Sequence, residues 1–196
     1  LMAIAFAIAL GIVSVSRLFA PIFWGEDFAP CAYILSALAL SIPFSGFANV
    51  IRMQYLIPNG MDGAYILSVI LGAVSNLTAN SLLIPRCGAL GAAVGTVIAE
   101  GVVCVAQCLA VKKRIDILAY LKSTAFFGMA GLLMYGAVRV LDQRAEITVS
   151  WLLLEIVVGG SVYCILSVLY LYHTKNELLM TALQKLGGAH QNNDRG

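Results

Sequence analysis

Apolar residues run along this chain in blocks of about twenty, the length a helix needs to cross the hydrocarbon core of a bilayer. The gaps between blocks collect proline, glycine and charge. The first block covers 1–20 and closes on Pro21 and Trp24-Gly25-Glu26-Asp27. The second covers about 31–57, carries Pro43 inside it, and stops at Pro58-Asn59-Gly60. The third, about 64–84, ends at Pro85, and the fourth, about 88–111, ends at Lys112-Lys113-Arg114. The fifth runs over about 117–141 to Asp142-Gln143-Arg144, and the sixth over about 148–173, followed by Thr174 and Lys175. Every break uses helix-ending chemistry. Backbone groups in hydrocarbon must be satisfied within their own segment, so blocks of this length predict helices. No ten-residue alternation of apolar and polar positions is present, which argues against a membrane β-barrel. The expectation is an all-α polytopic membrane helical bundle of six transmembrane helices, kinked at Pro43.

Composition fixes the solvent. Of the residues, 61% are hydrophobic and 11% charged, and the mean hydropathy is +0.92. A soluble domain carries about 25% charged residues, so this chain cannot cover a water-facing surface, and lipid must surround most of it. A net charge of +2 gives no footing for nucleic acid. The cysteines (Cys31, Cys87, Cys104, Cys108 and Cys164) show neither C-x-x-C nor paired spacing with histidine, so no metal site and no cofactor are expected. Cys104 and Cys108 share a helical face and read as small core-facing residues. His173 and His190 both lie near the tail, which excludes a histidine-based catalytic centre inside the membrane. The chain opens Leu1-Met2-Ala3-Ile4 without the basic start of a signal peptide, and residue 1 reads as an internal position of a longer protein.

Orientation follows from lysine and arginine, which favour the cytoplasmic side. If the gaps alternate sides, one side gathers Arg52, Lys112, Lys113, Arg114, Lys122, Lys175, Lys185 and Arg195. The other gathers Arg17, Arg86, Arg139 and Arg144, with Glu26, Asp27, Asp142 and Glu146 among them. The first side is expected to be cytoplasmic, with the C-terminus there too, and Lys112-Lys113-Arg114 would also attract anionic membrane lipids. The tail 174–196 begins as an amphipathic stretch, with Leu178, Leu179, Leu183 and Leu186 on its apolar face. Such a stretch suits the membrane surface, and the polar end to Gly196 has the composition of disorder.

Polar residues held at depth are the places to look for function. The third block carries Ser68, Gly72, Asn76 and Asn80 at four-residue spacing, along one slowly drifting helix face. The fourth carries Ala92, Thr96 and Glu100, beside a Gly91-x-x-x-Gly95-x-x-x-Ala99 seam. Two readings stand side by side. Small residues let helices approach and an asparagine can bond across them, or the same groups line a polar cavity. Glu100 lies near the middle of its block, where an acidic group costs about 2.5–3.5 kcal/mol on insertion scales. It either pairs structurally or serves ion coupling. Arg17 and Arg52 sit near opposite helix ends, where they can snorkel to the interface. Alternatively they face a cavity and hold an anion such as a phosphate, for which guanidinium geometry is suited. Glu155, two turns inside the last block, can reach water, Arg144 or Arg139.

The order of these motifs resembles a family. Pro21-Ile-Phe-Trp-Gly-Glu-Asp-Phe28 comes first, then Gln54-Tyr-Leu-Ile-Pro-Asn-Gly60, then paired asparagines with Leu83-Ile-Pro85, and last Gly88-Ala-Leu-Gly-Ala-Ala-Val-Gly-Thr-Val-Ile-Ala-Glu100. Over about residues 15–110 the chain resembles the C-terminal half of the Wzx-type polysaccharide flippases of the multidrug/oligosaccharidyl-lipid/polysaccharide exporter superfamily. The resemblance implies two six-helix lobes around a central cavity that opens alternately to each side. It makes 1–111 the last four spans of the second lobe, 112–173 an additional C-terminal pair and 174–196 a cytoplasmic tail. It implies that an N-terminal lobe of the same protein lies outside this chain. The implied activity is translocation of an undecaprenyl-diphosphate-linked oligosaccharide repeat across the cytoplasmic membrane, in polysaccharide biosynthesis such as that of O-antigen, with no bond changed and hence no enzyme. Arg17, Asn49, Arg52, Asn76, Asn80 and Thr96 are the expected cavity-lining residues, and Glu100 the expected ion-coupling residue.

The nearest alternative is a cation-coupled small-molecule or multidrug exporter of the same superfamily. A membrane-embedded glycan transferase or polymerase is a different class. It needs acidic or histidine-bearing loops that hold metal or act as base, and here Glu26-Asp27 is the only adjacent acidic pair, with no base beside it in the sequence.

Overall fold

The computed structural model describes residues 1–143 and 145–173, and the side chains of all of these but Ser123 and His173. Arg144, the expected surface helix after His173 with Lys175 and Lys185, and the polar end with His190 and Arg195 lie outside the described residues. The described residues are all-α: α1 Met2–Trp24, α2 Cys31–Ala39, α3 Ser41–Ile51, α4 Asp62–Val111, α5 Ile117–Asp142 and α6 Val149–His173. With α2 and α3 counted as one stretch, Cys31–Leu56, five helices are long and apolar enough to cross a membrane. The apolar exterior and this helix count make the chain a multi-pass membrane protein.

The five-for-six difference has one cause. The third and fourth expected spans join into the fifty-residue α4, which is broken at Gly88, where φ is 55° and ψ −134°. A left-handed φ of this kind favours glycine, and it turns the chain back on itself. The contacts prove the reversal. Gln107 Nε2 donates to Ser68 Oγ at 3.1 Å, Gly72 packs against Val103, Gly95 against Asn80, and Gly91 against the Leu83 carbonyl. These pairs converge on Gly88, so 62–87 and 89–111 are antiparallel arms of a hairpin. At 1.5 Å per residue the arms are roughly 39 and 35 Å long. Pro85 does not stop the first arm, because the helix runs on past it to the glycine.

Proline and glycine divide labour in the same way elsewhere. α1 continues through Pro21 and ends at Gly25 (φ 96°), whose N–H donates to the Pro21 carbonyl at 3.0 Å. A short 3-10 turn, Glu26–Phe28, follows and leaves Glu26 and Asp27 exposed. The kink expected at Pro43 falls at Leu40, between α2 and α3. Proline removes a donor and its ring meets the carbonyl four residues back, here that of Ala39, so the break lies just ahead of the proline. Ser41 Oγ donates to the Leu38 carbonyl at 2.7 Å and ties the break together. α3 runs into a π-helical turn, Arg52–Leu56, with Ile57 N–H donating to the Arg52 carbonyl at 3.0 Å. The chain then turns at Gly60 (φ 65°).

α1 is the central element, in contact with α2, α3, α5 and α6, while α4 packs on α2 and α3. One core cluster joins Leu10 of α1 to Ala130, Met134 and Tyr163 of α5 and α6. Tyr163 Oη donates to the Ala3 carbonyl at 2.6 Å, which anchors the start of α1 on α6. A second cluster gathers Ile51, Leu56 and Val111 with Met61 and Ile117. It lies at the end of the bundle where α5 begins, beside Lys112-Lys113-Arg114. Arg17 and Arg139 meet Asp142 at the opposite end of α5. Lys112-Lys113-Arg114 and the pair Arg17 and Arg139, expected on opposite sides of the membrane, therefore occupy opposite ends of the bundle.

Candidate functional site

Between α1, α3 and the two arms of α4 lies a cavity of about 910 Å³. Its walls differ in character. α1 contributes the apolar side chains Leu1, Ile4, Ala5 and Ile8. α3 contributes Ser41, Ser45, Asn49 and Arg52, and the first arm of α4 contributes Tyr65, Asn76 and Asn80. The second arm adds Thr96, Glu100 and Gln107. Six of the seven site residues expected from the sequence thus line one cavity. Arg17 does not. Its guanidinium is 2.9 Å from Asp142 at the far end of α5, and that carboxylate holds it away from the cavity.

The seam expected in the fourth block is a packing surface, and it sets the positions of the polar groups. Gly91 and Gly95 have no side chain, so the second arm closes directly on Leu83, Asn80 and Ala79 of the first. On the first arm the four-residue stripe drifts as it climbs. Ser68 and Gly72 are buried between the arms, and Asn76 and Asn80 emerge half-buried at the cavity. Asn80 Nδ2 donates to Asn76 Oδ1 at 2.9 Å, while Asn80 Oδ1 is buried with no partner among the described residues. Thr96 Oγ1 donates back to the Ala92 carbonyl at 3.1 Å.

Arg52 sits where α3 widens into its π turn, a distortion that often marks a functional position. Arg52 Nη2 donates to Asn49 Oδ1 at 2.6 Å and Nη1 to Tyr65 Oη at 3.3 Å. Its guanidinium carbon lies 5.4 Å from the Tyr65 ring centroid, within cation–π range. All these partners are neutral. Among the described residues no carboxylate pairs with Arg52, and its Nε is buried without an acceptor. Glu100, half-buried on the facing arm, has no hydrogen bond among the described residues and opens on the same space. Among the described residues the cavity therefore carries one cation without a paired carboxylate, one carboxylate and a set of amides and hydroxyls.

Of the lining residues that were not foreseen, Gln107 and Tyr65 bear most on the polar groups. Gln107, only 1% exposed, donates to Ser68 and keeps Oε1 unpaired. Its signal was present, since it lies seven residues after Glu100 and so on the same helix face. Tyr65 had no such signal; it reaches Arg52 only because the turn at Gly60 folds α4 back along α3.

No protein-family model and no curated protein matches the chain. Among solved structures it is similar to "Lipid II flippase MurJ, inward closed conformation", with a TM-score of 0.75 and 19% identity over 89% of this chain. The chain spans 38% of the length of that structure. At this identity the likeness is one of fold.

Proposed function

We propose that this chain is part of a flippase that moves a lipid-linked oligosaccharide, an undecaprenyl-diphosphate-linked repeat unit, across the cytoplasmic membrane by alternating access for polysaccharide synthesis. The observation that carries the reading is Arg52. A guanidinium at a membrane cavity, held by an amide, a phenol and a ring rather than by a carboxylate, keeps its charge for an anionic ligand. A diphosphate is such a ligand, and it meets the planar donor fork that arginine offers. Asn49, Asn76, Asn80, Thr96 and Gln107 would replace water around a sugar headgroup, whose passage through bare hydrocarbon is prohibitive. Leu1, Ile4 and Ile8 give the opposite wall an apolar face suited to the adjoining lipid chain. The similarity to a lipid II flippase in fold supports the same reading. In it the α4 arms each cross once, giving six spans, the Arg52 end faces the cytoplasm together with the C-terminus, and a further lobe closes the cavity.

The step breaks no bond in this scheme. Glu100 is the proposed ion-coupling group, because its carboxylate opens on the cavity and no described residue pairs with it. The test uses the protein at its native length in a strain lacking its own polysaccharide flippase. Arg52→Ala removes the charge-assisted bonds to the ligand, about 1.5–3 kcal/mol, or roughly a 10- to 150-fold loss of apparent affinity. Surface polysaccharide should fall accordingly at normal expression, and Glu100→Gln should abolish it. Full surface polysaccharide in Arg52→Ala would remove the diphosphate from the reading. Acquired drug resistance on overexpression, without restored polysaccharide, would favour the small-molecule exporter.

A further inference from the structure

A second polar cluster lies away from the cavity, where α1, α5 and α6 meet. Asp142 is buried, and its Oδ2 accepts from Arg17 at 2.9 Å and from Arg139 at 2.8 Å. Its other oxygen, Oδ1, is buried without a partner among the described residues. Glu155 of α6 is 1% exposed, and neither of its carboxyl oxygens has a partner among the described residues. The register of α5 on α6 brings these two residues together. Val138 Cγ2 lies 3.0 Å from a Cβ built on Gly159, so one helical turn further toward the same end sets Asp142 opposite Glu155. The charges that act on Glu155 come from both neighbouring helices: Arg17 from α1, and Arg139 and Asp142 from α5.

We propose that Asp142 and Glu155 form a proton-binding pair: Glu155 carries the proton and donates it in a hydrogen bond to the vacant Asp142 Oδ1. Three buried acceptor oxygens lacking a donor are costly together, since each unsatisfied polar atom costs about 1–3 kcal/mol and more when charged. One proton relieves the conflict. It gives Glu155 a donor, neutralises the carboxyl that no described arginine holds, and fills the empty lone pair on Asp142. Repulsion between two like charges across one helix seam favours leaving one of them protonated. A metal cation suits the place less well, because Arg17 and Arg139 already supply two positive charges against the one on Asp142. Arg17 and Arg139 have side chains 62% and 51% exposed, so the pair lies next to water at this end of the bundle. When the proton leaves to that water, the new Glu155 carboxylate needs a donor, and the exposed Arg17 is the one free to swing. Its tie then passes from α5 to α6. This inference is independent of the cavity and of what the cavity carries.

The test is infrared spectroscopy of the purified chain in detergent, following the C=O stretch of protonated carboxyl groups from about pH 5 to about pH 9. One band should remain where free carboxyls are already ionised and be lost reversibly as the pH is raised. Glu155→Gln should delete it, and Asp142→Asn should keep it but change its frequency. Sodium at constant pH should leave it unmoved. If Glu155→Gln fails to fold, the band's persistence in the unaltered chain and its frequency change in Asp142→Asn still decide the matter. A chain with no protonated carboxyl above the ordinary range, a band that survives Glu155→Gln, a band whose frequency Asp142→Asn leaves unchanged, or one that sodium displaces, overturns the proposal.

Discussion

Gly95 offers the sharpest test of how the polar wall of the cavity is built. A Cβ placed there would collide with Asn80 Oδ1, lie 3.2 Å from Asn80 Cγ, and make an ordinary contact with Ala79 Cβ at 3.6 Å. The methyl of Gly95→Ala must therefore displace the Asn80 amide and break its 2.9 Å bond to Asn76. Overpacking costs about 1–3 kcal/mol, and a side-chain bond between residues four apart on one helix contributes about 0.2–0.5 kcal/mol. Alanine's better helix propensity returns about 0.5–1 kcal/mol. The net destabilisation should be about 0.2–3 kcal/mol, up to roughly a 150-fold shift in the folding equilibrium. Gly101 on the same arm is the control. Nothing lies within 4 Å of its Cβ position, so Gly101→Ala should be neutral or stabilising by about 0.5–1 kcal/mol. Unfolding in mixed micelles titrated with a denaturing detergent measures both. The decisive background is Asn80→Ala, which removes the obstructing oxygen; there Gly95→Ala should cost no more than Gly101→Ala. A penalty that survives in that background refutes the account, because the coupling between the two positions is what the contact predicts.

Three further outcomes follow from the geometry. Ser68→Ala leaves the buried Gln107 amide unpaired and should destabilise the chain by about 1–3 kcal/mol, whereas Gln107→Leu, which removes the amide and keeps apolar volume, should cost less; the same unfolding assay ranks them. Cys87 is exposed beside the Gly88 turn, so in the proposed orientation a membrane-impermeant maleimide added to intact cells labels it, and labelling only after lysis would invert the topology. Finally, Ala5→Cys with Gly46→Cys places two Cβ atoms about 3.3 Å apart, and Leu10→Cys with Gly131→Cys places two about 3.4 Å apart, near the separation a disulfide requires. The first cross-link should block transport by the full-length protein and the second should leave most of it; equal effects from the two would count against α1 parting from α3.

Much of the bundle could be read from the chain because bilayer thickness and backbone satisfaction dictate so much. Runs of about twenty apolar residues have few alternatives in hydrocarbon. What proved illegible was which residue does the breaking. Pro21 and Pro85 stay inside helices while Gly25 and Gly88 stop or reverse them, since a proline forfeits one bond but only a left-handed φ reverses the chain at low cost. Asn76, Asn80, Thr96 and Glu100 could be grouped because helical spacing alone puts them on faces that meet when two arms pack antiparallel. Arg17 was misplaced because its partner, Asp142, is remote in sequence, and nothing local distinguishes a guanidinium that snorkels, lines a cavity or finds a carboxylate 125 residues away. Glu155 was read as reaching water or an arginine for the same reason. Only the α5–α6 register buries it beside Asp142.

α1 is shared by both polar regions, and its two sides are fastened very differently. Toward α5 and α6 it is held by the buried cluster of Leu10, Ala130, Met134 and Tyr163, by the Tyr163–Ala3 hydrogen bond, and by the Arg17–Asp142 ion pair. Toward α3 its contact includes Ala5 against Gly46, two residues with almost no apolar side-chain surface, and the cavity begins beside them. In lipid, helices are held together by van der Waals packing and hydrogen bonds, so separating the large side chains and polar ties on the first side costs far more than parting an alanine from a glycine. Close-packed interfaces switch between discrete arrangements rather than stretching. A change in the width of the cavity should therefore fall on the α1–α3 seam, with α1, α5 and α6 moving as one body. Arg52 and Asn49 then stay on one side of the moving boundary and the apolar wall of Leu1, Ile4 and Ile8 on the other, so the cavity would open between the groups proposed to hold the headgroup and those proposed to face the lipid chain.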